Sequence, residues 1–183
     1  MTNYDAKRAK QFLHVLAGAG APVYFVPGNM DSVELRDWPG DEDVHALHGR
    51  CEYRGSLALI GVGGSPHGPF RSPFEYDENE AALLLEKAVK SYSGGNLILL
   101  SHCPPKDTKI DLAFTGEHAG SLAVRRFVEK VQPVLVVSGH IHEAQGIDAI
   151  SNSTLVNTGP AQRGKFAQIG LNNAVKVDFA KLF

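Results

Sequence analysis

The sequence has few cysteines, no excess of basic charge and no long apolar run, and each of these absences excludes a class of protein. It contains two cysteines, Cys51 and Cys103, among 183 residues, which excludes a disulfide framework and a four-cysteine zinc site and predicts a reducing, cytoplasmic location. Its formal net charge is −2, so no basic field predicts strong binding of nucleic acid or anionic lipid. No run approaches the roughly 18 apolar residues that a membrane span needs. We therefore expect a soluble protein with no membrane partner.

The remaining composition is typical of one globular domain over residues 1–183. Hydrophobic residues make up 43% and charged residues 21% of the chain, which is enough apolar material for a core. Helical periodicity covers residues 1–18, 79–92 and 121–131. Continuous apolar strands are predicted at 22–26, 96–100 and 133–137, with shorter strands towards the carboxyl terminus. This order predicts an α/β fold of packed sheets flanked by helices.

The same patterns predict which side chains form the core. In the first helix the apolar face consists of Phe12, Leu13, Leu16 and Ala17. In the second helix we expect Leu83, Leu84 and Val89 to be buried. The three apolar strands are expected to belong to one sheet.

Polar side chains that can bind a metal follow each of the three apolar strands. Asn29 and Asp31 follow the first strand, His102 the second, and His140 and His142 the third. Open α/β sheets place their ligands at the carboxyl ends of strands, so we expect these groups to meet there. A single histidine at such a position is more often a half-buried polar group. Three such clusters together favour a site for a divalent transition metal.

These motifs, taken in order, resemble the calcineurin-like metallophosphoesterases. The sequence GNMD at residues 28–31 is similar to the family's G-N-x-D/E motif, His102 to its strand-end histidine, and GHIH at 139–142 to its G-H-x-H motif. Residues 157–160, NTGP, resemble a turn in the last part of the family fold. The resemblance covers nearly the whole chain. It implies an α/β/β/α sandwich of two mixed sheets flanked by helices.

The resemblance also implies roles for individual residues. Asn29, His102 and His140 would bind the second of two metal ions, and His142 the first. Independently of the resemblance, we predict Asp31 and His118 as catalytic groups and Asn29 and His67 as substrate contacts. His118 precedes the helix at 121–131, and a surface-loop histidine without a role is the alternative there. The implied cofactor is a pair of divalent ions, with Mn²⁺ favoured over Fe, Zn, Ni or Mg, that activates water against a phosphomonoester or phosphodiester. Met30 stands where many relatives have a proton-donating histidine.

One departure from the family pattern is larger than the others. The D-x-H and G-D motifs that would precede Gly28 are absent from the sequence. A Gly-Asp pair before Met1 would give GDMTNY, so we expect an N-terminally truncated chain that lacks its first strands; a degenerate paralogue is the alternative. Either origin predicts weak metal binding, impaired hydrolysis and an uncovered sheet edge that favours a homo-oligomer.

Two other functions stay open at this stage. A metallophosphoesterase fold with an eroded metal site would serve as a non-catalytic protein-binding module. A mononuclear zinc hydrolase that uses the histidines alone is the other alternative, although the sequence lacks the H-E-x-x-H signature.

Overall fold

The computed structural model describes residues 5–69, 71–172 and 174–183. Residues 1–4, on which the predicted truncation depends, lie outside this range. The helices are α1 (Ala6–Ala17), α2 (Glu34–Asp37), α3 (Glu78–Val89) and α4 (Leu122–Val131), with a 3₁₀ turn at Ala161–Arg163. The strands are β1 (Val23–Phe25), β2 (Gly40–Asp41), β3 (Val44–Ala46), β4 (Cys51–Arg54), β5 (Leu57–Val62), β6 (Ser65–Pro66), β7 (Glu75–Tyr76), β8 (Asn96–Ser101), β9 (Leu135–Ser138), β10 (Gly146–Ile150), β11 (Ser153–Asn157), β12 (Lys165–Leu171) and β13 (Val175–Lys181).

A six-stranded mixed sheet forms the centre of the fold. Its strand order is β10-β11-β9-β8-β5-β4. The four inner strands are parallel, while β4 and β10 pair antiparallel at the two ends. Because parallel strands end at the same edge, the segments after β8 and β9 leave the sheet side by side.

Helices cover one face of this sheet and a hairpin covers the other. On the first face, Leu85 of α3 and Val124 and Val128 of α4 pack in one cluster with the sheet residues Ile60 and Leu99. On the opposite face, the antiparallel pair β12–β13 packs side chains such as Ala167, Ile169 and Val177 against Ile98, Leu135 and Val156. The predicted sandwich of mixed sheets flanked by helices is confirmed.

The expectation of one sheet for all three apolar strands is wrong. β1 lies in a second mixed sheet of order β1-β3-β2, in which Val23 pairs with Val44. A bridge between His48 and Gly61 connects the end of β3 to β5. An apolar run predicts that a strand is buried, but it does not specify the neighbouring strand.

Three of the predicted core positions, Phe12, Leu16 and Leu83, are also wrong. Leu83 is 67% exposed, because Ala81, Leu85 and Ala88 occupy the buried face of α3. In α1 the buried residues are Ala6 and Ala9, while Leu13 and Ala17 are partly buried against Phe25. Phe12, Val15 and Leu16 are 58%, 73% and 44% exposed. The helix therefore docks through its small residues and leaves its larger apolar side chains outside.

The contact of α1 with the rest of the chain centres on Trp38. Ala6, Ala9 and Leu35 form a small cluster with this indole, and its ring centroid lies 5.5 Å from that of Phe25. The Lys10 ammonium lies 4.8 Å from the indole centroid, in cation–π geometry. Among the described helices, none is both long and apolar enough to cross a bilayer.

Candidate functional site

Three polar side chains from different strand ends meet beyond the edge of the sheets. Asn29 follows β1, His102 follows β8 and His140 follows β9. The Oδ1 atom of Asn29 lies 2.9 Å from Nε2 of His102, and that nitrogen lies 3.2 Å from Nδ1 of His140. An amide oxygen and two imidazole nitrogens therefore surround one point.

The backbone fixes the position of the two rings. His102 donates its N–H to the Val62 carbonyl at 3.0 Å, and its own carbonyl accepts from Gly139 N–H at 3.2 Å. A Cβ atom added at Gly28 would lie 2.8 Å from Cε1 of His102, so the ring occupies space that only glycine leaves open. His140 has φ = +61°, in the left-handed region that few non-glycine residues adopt. Such strained backbone is concentrated at functional sites.

Burial keeps both imidazole rings neutral. Desolvation, with smaller contributions from His140 and His142, lowers the pKa of His102 to about 3. Desolvation, followed by the influence of His142, lowers the pKa of His140 to about 4. At neutral pH each ring therefore keeps a nitrogen lone pair, which is the form that binds a metal ion.

A cleft of about 550 Å³ opens beside these rings. It is lined on one side by Asn29, Asp31, His102, His140 and His142, and on the other by apolar side chains of α1, β1 and the following turn, including Phe12, Leu13, Phe25 and Met30. The Asp31 carboxylate accepts from the Gly28 backbone N–H at 2.8 Å. The structure thus brings all four predicted metal ligands and Asp31 into one cleft.

The donor atoms of Asn29, His102 and His140 are of the chemical types that bind a divalent transition metal ion. Imidazole nitrogen and amide oxygen are suitable ligands for such ions. All three donors are neutral, however. Within residues 5–69, 71–172 and 174–183, no group of three or more His, Cys, Asp or Glu side chains is placed to hold a metal ion.

The other two predicted site residues lie elsewhere. His67 places Nδ1 3.3 Å from Oε2 of Glu75, and its side chain is 69% exposed. His118 lies in the loop between β8 and α4, with Nδ1 2.7 Å from Oδ1 of Asp111. Among the residues that the structure describes, neither His67 nor His118 lines the cleft. Their roles stay predictions.

A buried asparagine that the sequence analysis did not place in the site organises its surroundings. Asn157, at the end of β11, is completely buried. Its amide nitrogen donates to the carbonyls of Gly139 and Ile141, on either side of His140, at 3.2 and 2.8 Å. It also donates to the Ile110 carbonyl at 3.1 Å. This amide therefore joins the His140 turn to the β8–α4 loop. The NTGP resemblance was the available signal, but it indicated only a turn.

Comparison with known proteins identifies the family. The chain belongs to the metallophosphoesterases of the calcineurin superfamily, whose family model matches residues 1–182. Metallophosphoesterases are hydrolases, and their superfamily generally binds divalent metals, which agrees with the kind of protein that the motifs predicted.

The proteins similar to this chain include two relatives and one solved structure. The uncharacterized protein MJ1162 of Methanocaldococcus jannaschii is 33% identical over 160 residues, which cover 85% of this chain and 71% of that protein. The UPF0046 protein K07C11.7 of Caenorhabditis elegans is 30% identical over 105 residues, or 57% of this chain and 35% of that protein. One crystal structure superposes with a TM-score of 0.78 at 21% identity, over 97% of this chain and 72% of the other. That likeness shows the shared fold.

Proposed function

We propose that this protein hydrolyses a phosphomonoester or phosphodiester with the help of divalent metal, at the cleft that contains Asn29, His102, His140 and His142. The observation that carries the proposal is the convergence of one amide oxygen and two neutral imidazoles within 2.9 and 3.2 Å of each other. Membership of the metallophosphoesterase family gives the reaction class.

The proposal gives a role to each of the polar residues of the cleft discussed above. Asn29, His102 and His140 would hold a metal ion, Mn²⁺ in the first instance, and His142 would contribute to a second. When bound, such ions polarise phosphoryl oxygens and lower the pKa of a coordinated water. Asn29 would also contact the phosphate ester. The carboxylate of Asp31, held by the Gly28 N–H, keeps the 28–31 turn in place so that Asn29 points towards His102.

A non-catalytic binding module is the second candidate function. It is favoured by the neutral donor set and by the lack, among the described residues, of a cluster of three His, Cys, Asp or Glu side chains. In that case the fold would be retained while metal binding is weak.

Metal-dependent turnover distinguishes the two candidates. The chain is stripped with a chelator and titrated with Mn²⁺, while hydrolysis of bis-p-nitrophenyl phosphate and p-nitrophenyl phosphate is followed. We expect weak turnover that rises with Mn²⁺, because the described donors are all neutral, and that falls to the background rate in His102→Asn, since the substitution removes a donor at the centre of the set. His14→Gln is the matched control, because His14 is 44% exposed and bonds Asp41 outside the cleft.

Three outcomes of this experiment test the hydrolase, the assignment of its site and the binding module. Mn²⁺-dependent turnover that is lost in His102→Asn supports the hydrolase. Equal turnover in His102→Asn and the parent chain contradicts the assignment of the site. Turnover absent at saturating Mn²⁺, with circular dichroism unchanged, contradicts the hydrolase and favours the binding module.

A further inference from the structure

The cleft that contains the proposed metal ligands has one polar side and one apolar side. Its apolar side is formed by α1, β1 and the residues that follow β1, through side chains such as Leu13, Phe25 and Met30. A volume of about 550 Å³ is in the range of small-molecule sites, which are mostly apolar and have a few polar groups that orient the ligand. The cleft therefore has room for an organic group attached to the phosphate.

The lining of the cleft offers few partners to a polar organic group. Among the described residues that line it, none is lysine, arginine, serine, threonine, tyrosine or glutamine. Its polar side chains are the proposed metal ligands and Asp31, whose carboxylate already accepts from the Gly28 N–H at 2.8 Å. A sugar, a base or a second phosphate would lose hydrogen bonds to water here and find few side chains to replace them, which is unfavourable. An apolar group has no such loss.

Packing behind the apolar side holds it in place. Phe25 is 9% exposed, and its ring centroid lies 5.5 Å from that of Trp38. Leu35 is buried and packs in one cluster with Ala9 and Trp38. This surface is therefore formed before a ligand binds, so little free energy is lost in ordering it.

Met30 is an accessible apolar side chain directly beside a proposed metal ligand. It follows Asn29, lines the cleft and is 37% exposed. Its backbone is fixed from both sides, since the Asp31 N–H donates to the Gly28 carbonyl at 3.1 Å and the Asn29 carbonyl accepts from the Phe74 N–H at 3.0 Å. The methionine side chain itself is unbranched and adapts to apolar groups of different shape.

We propose that the phosphate ester bound in this cleft carries an apolar alkyl or aryl group and that Met30 contacts this group, an inference that rests on the proposed function. With the phosphoryl group at Asn29, His102 and His140, the organic group lies against the apolar side of the same cleft. Met30 is then a specificity residue and takes no part in the chemical step. Nucleotides and sugar phosphates are disfavoured.

Two phosphonates of different chain length test the proposal without turnover. Methylphosphonate and hexylphosphonate are titrated in the presence of Mg²⁺, while amide ¹H–¹⁵N spectra and the Met30 methyl signal, assigned with Met30→Leu, are followed. We expect hexylphosphonate to shift the Met30 signal and to bind about 30-fold more tightly. This ratio corresponds to burial of about half of its five additional methylene groups.

Variants of Met30 test its contact with the apolar group. Met30→Gln keeps the length of the side chain but makes it polar, so the preference for hexylphosphonate should fall below about 10-fold. Met30→Leu stays apolar and should keep the preference within about twofold. Val33→Gln is the matched control, because Val33 is 48% exposed and is not among the described residues that line the cleft.

Turnover of esters with one common leaving group gives a second measurement. Hexyl p-nitrophenyl phosphate, methyl p-nitrophenyl phosphate and thymidine 5′-(p-nitrophenyl phosphate) all release p-nitrophenolate, so differences in kcat/KM report on the second organic group. With Mn²⁺ we expect the hexyl ester to exceed the methyl ester by about 30-fold and to exceed the thymidine ester as well. Faster turnover of the thymidine ester than of the hexyl ester would overturn the apolar substrate class.

The remaining outcomes separate this proposal from the proposed function. Equal binding of the two phosphonates, or no binding of either at millimolar concentration, overturns the apolar substrate class, while Mn²⁺-dependent turnover of the methyl ester would still support the hydrolase. An unchanged preference in Met30→Gln overturns the contact with Met30. Tighter binding of hexylphosphonate without turnover of any ester contradicts the hydrolase and supports the apolar ligand class by itself.

Discussion

At the scale of single residues, a methyl group added at Gly28 would contact a side chain of the candidate metal site. A Cβ atom there would lie 2.8 Å from Cε1 and 3.2 Å from Nδ1 of His102. The ring is held through its Nε2 atom, which lies 2.9 Å from Oδ1 of Asn29 and 3.2 Å from Nδ1 of His140, so it has little freedom to move aside. At Gly139, by contrast, no atom of the described residues lies within 4 Å of an added Cβ.

These two glycines give a matched pair of variants. We expect Gly28→Ala to weaken Mn²⁺ binding at least about 10-fold, or roughly 1.4 kcal/mol, because the displaced His102 ring no longer points at the common centre. Gly139→Ala should change the Kd less than about twofold. Titration calorimetry with Mn²⁺ measures both, and equal affinities in the two variants would contradict the site geometry.

His48 makes the stability of the fold depend on pH. This ring is 8% exposed, and its Nδ1 accepts the Gly63 N–H at 2.9 Å. Burial, followed by the nearby charges of Arg36 and Arg50, lowers its pKa from 6.5 to about 4. The unfolded chain therefore binds a proton at His48 at a higher pH than the folded chain does. Its contribution to stability is complete above pH 6.5 and is lost as the pH falls towards 4.

A His48→Asn variant should lose part of this pH dependence. Between pH 6.5 and 4 we expect its free energy of unfolding to fall less steeply than that of the parent, by up to about 1.4 kcal/mol per pH unit. His14→Asn is the control, since His14 is exposed and its pKa is raised, first by the Lys10 carbonyl and then by Asp41. Urea unfolding at a series of pH values gives the two slopes, and parallel curves for parent and His48→Asn would refute the expectation.

At the scale of secondary structure, a carboxylate from another helix caps the amino terminus of α4. Glu78, at the start of α3, accepts from the backbone N–H groups of Leu122 and Ala123 at 2.9 and 2.8 Å, and from the Ser121 hydroxyl at 2.8 Å. Ser121 itself accepts from Val124 N–H as the N-cap. A negative charge at a helix amino terminus is favourable, so this contact joins α3 to α4.

Glu78→Gln should therefore destabilise the fold although it removes no apolar contact. We expect a loss of roughly 1–3 kcal/mol, since the charge and one or more acceptors for buried N–H groups disappear. Glu80→Gln, exposed on the same helix, should cost less than about 0.5 kcal/mol. Urea unfolding of the three proteins is the measurement, and equal stability of Glu78→Gln and Glu80→Gln would show that the cap contributes little.

The sequence was most informative about features that repeat or lie next to a clear pattern. Apolar runs predicted β1, β8 and β9, and the polar residues that follow them could be assigned to one cleft. Periodicity failed at Leu83, because three adjacent leucines leave the phase of the helix open. It also could not reveal that β1 pairs with β3. Asn157 lies in a segment without periodicity, and its role depends on backbone contacts between residues distant in sequence.

At the scale of the whole molecule, α1 leaves an apolar surface uncovered. Its exposed face consists of Phe12, Val15 and Leu16, and the adjacent strand β1 lies at one end of its sheet. Burial of apolar surface contributes about 25 cal/mol per Å², so a contiguous patch favours association. A twofold dimer that pairs this face with itself is the simplest closed assembly.

We therefore expect the parent chain to sediment as a dimer or larger species at micromolar concentration. Val15→Lys combined with Leu16→Lys should shift it to monomer, because charges would be buried in the contact. Leu83→Lys, at an equally exposed leucine on α3, should leave the assembly unchanged. A parent chain that sediments as a stable monomer would contradict this expectation.

The position of Trp38 has a practical consequence. It is the one tryptophan in the sequence, and its indole lies between α1 and Phe25, with the Lys10 ammonium above the ring. Its intrinsic fluorescence consequently reports on the docking of α1, whose side chains line the cleft, against β1 and β3. A shift in emission that precedes the loss of circular dichroism during denaturation would reveal the undocking of α1 as a separate event, without any attached label.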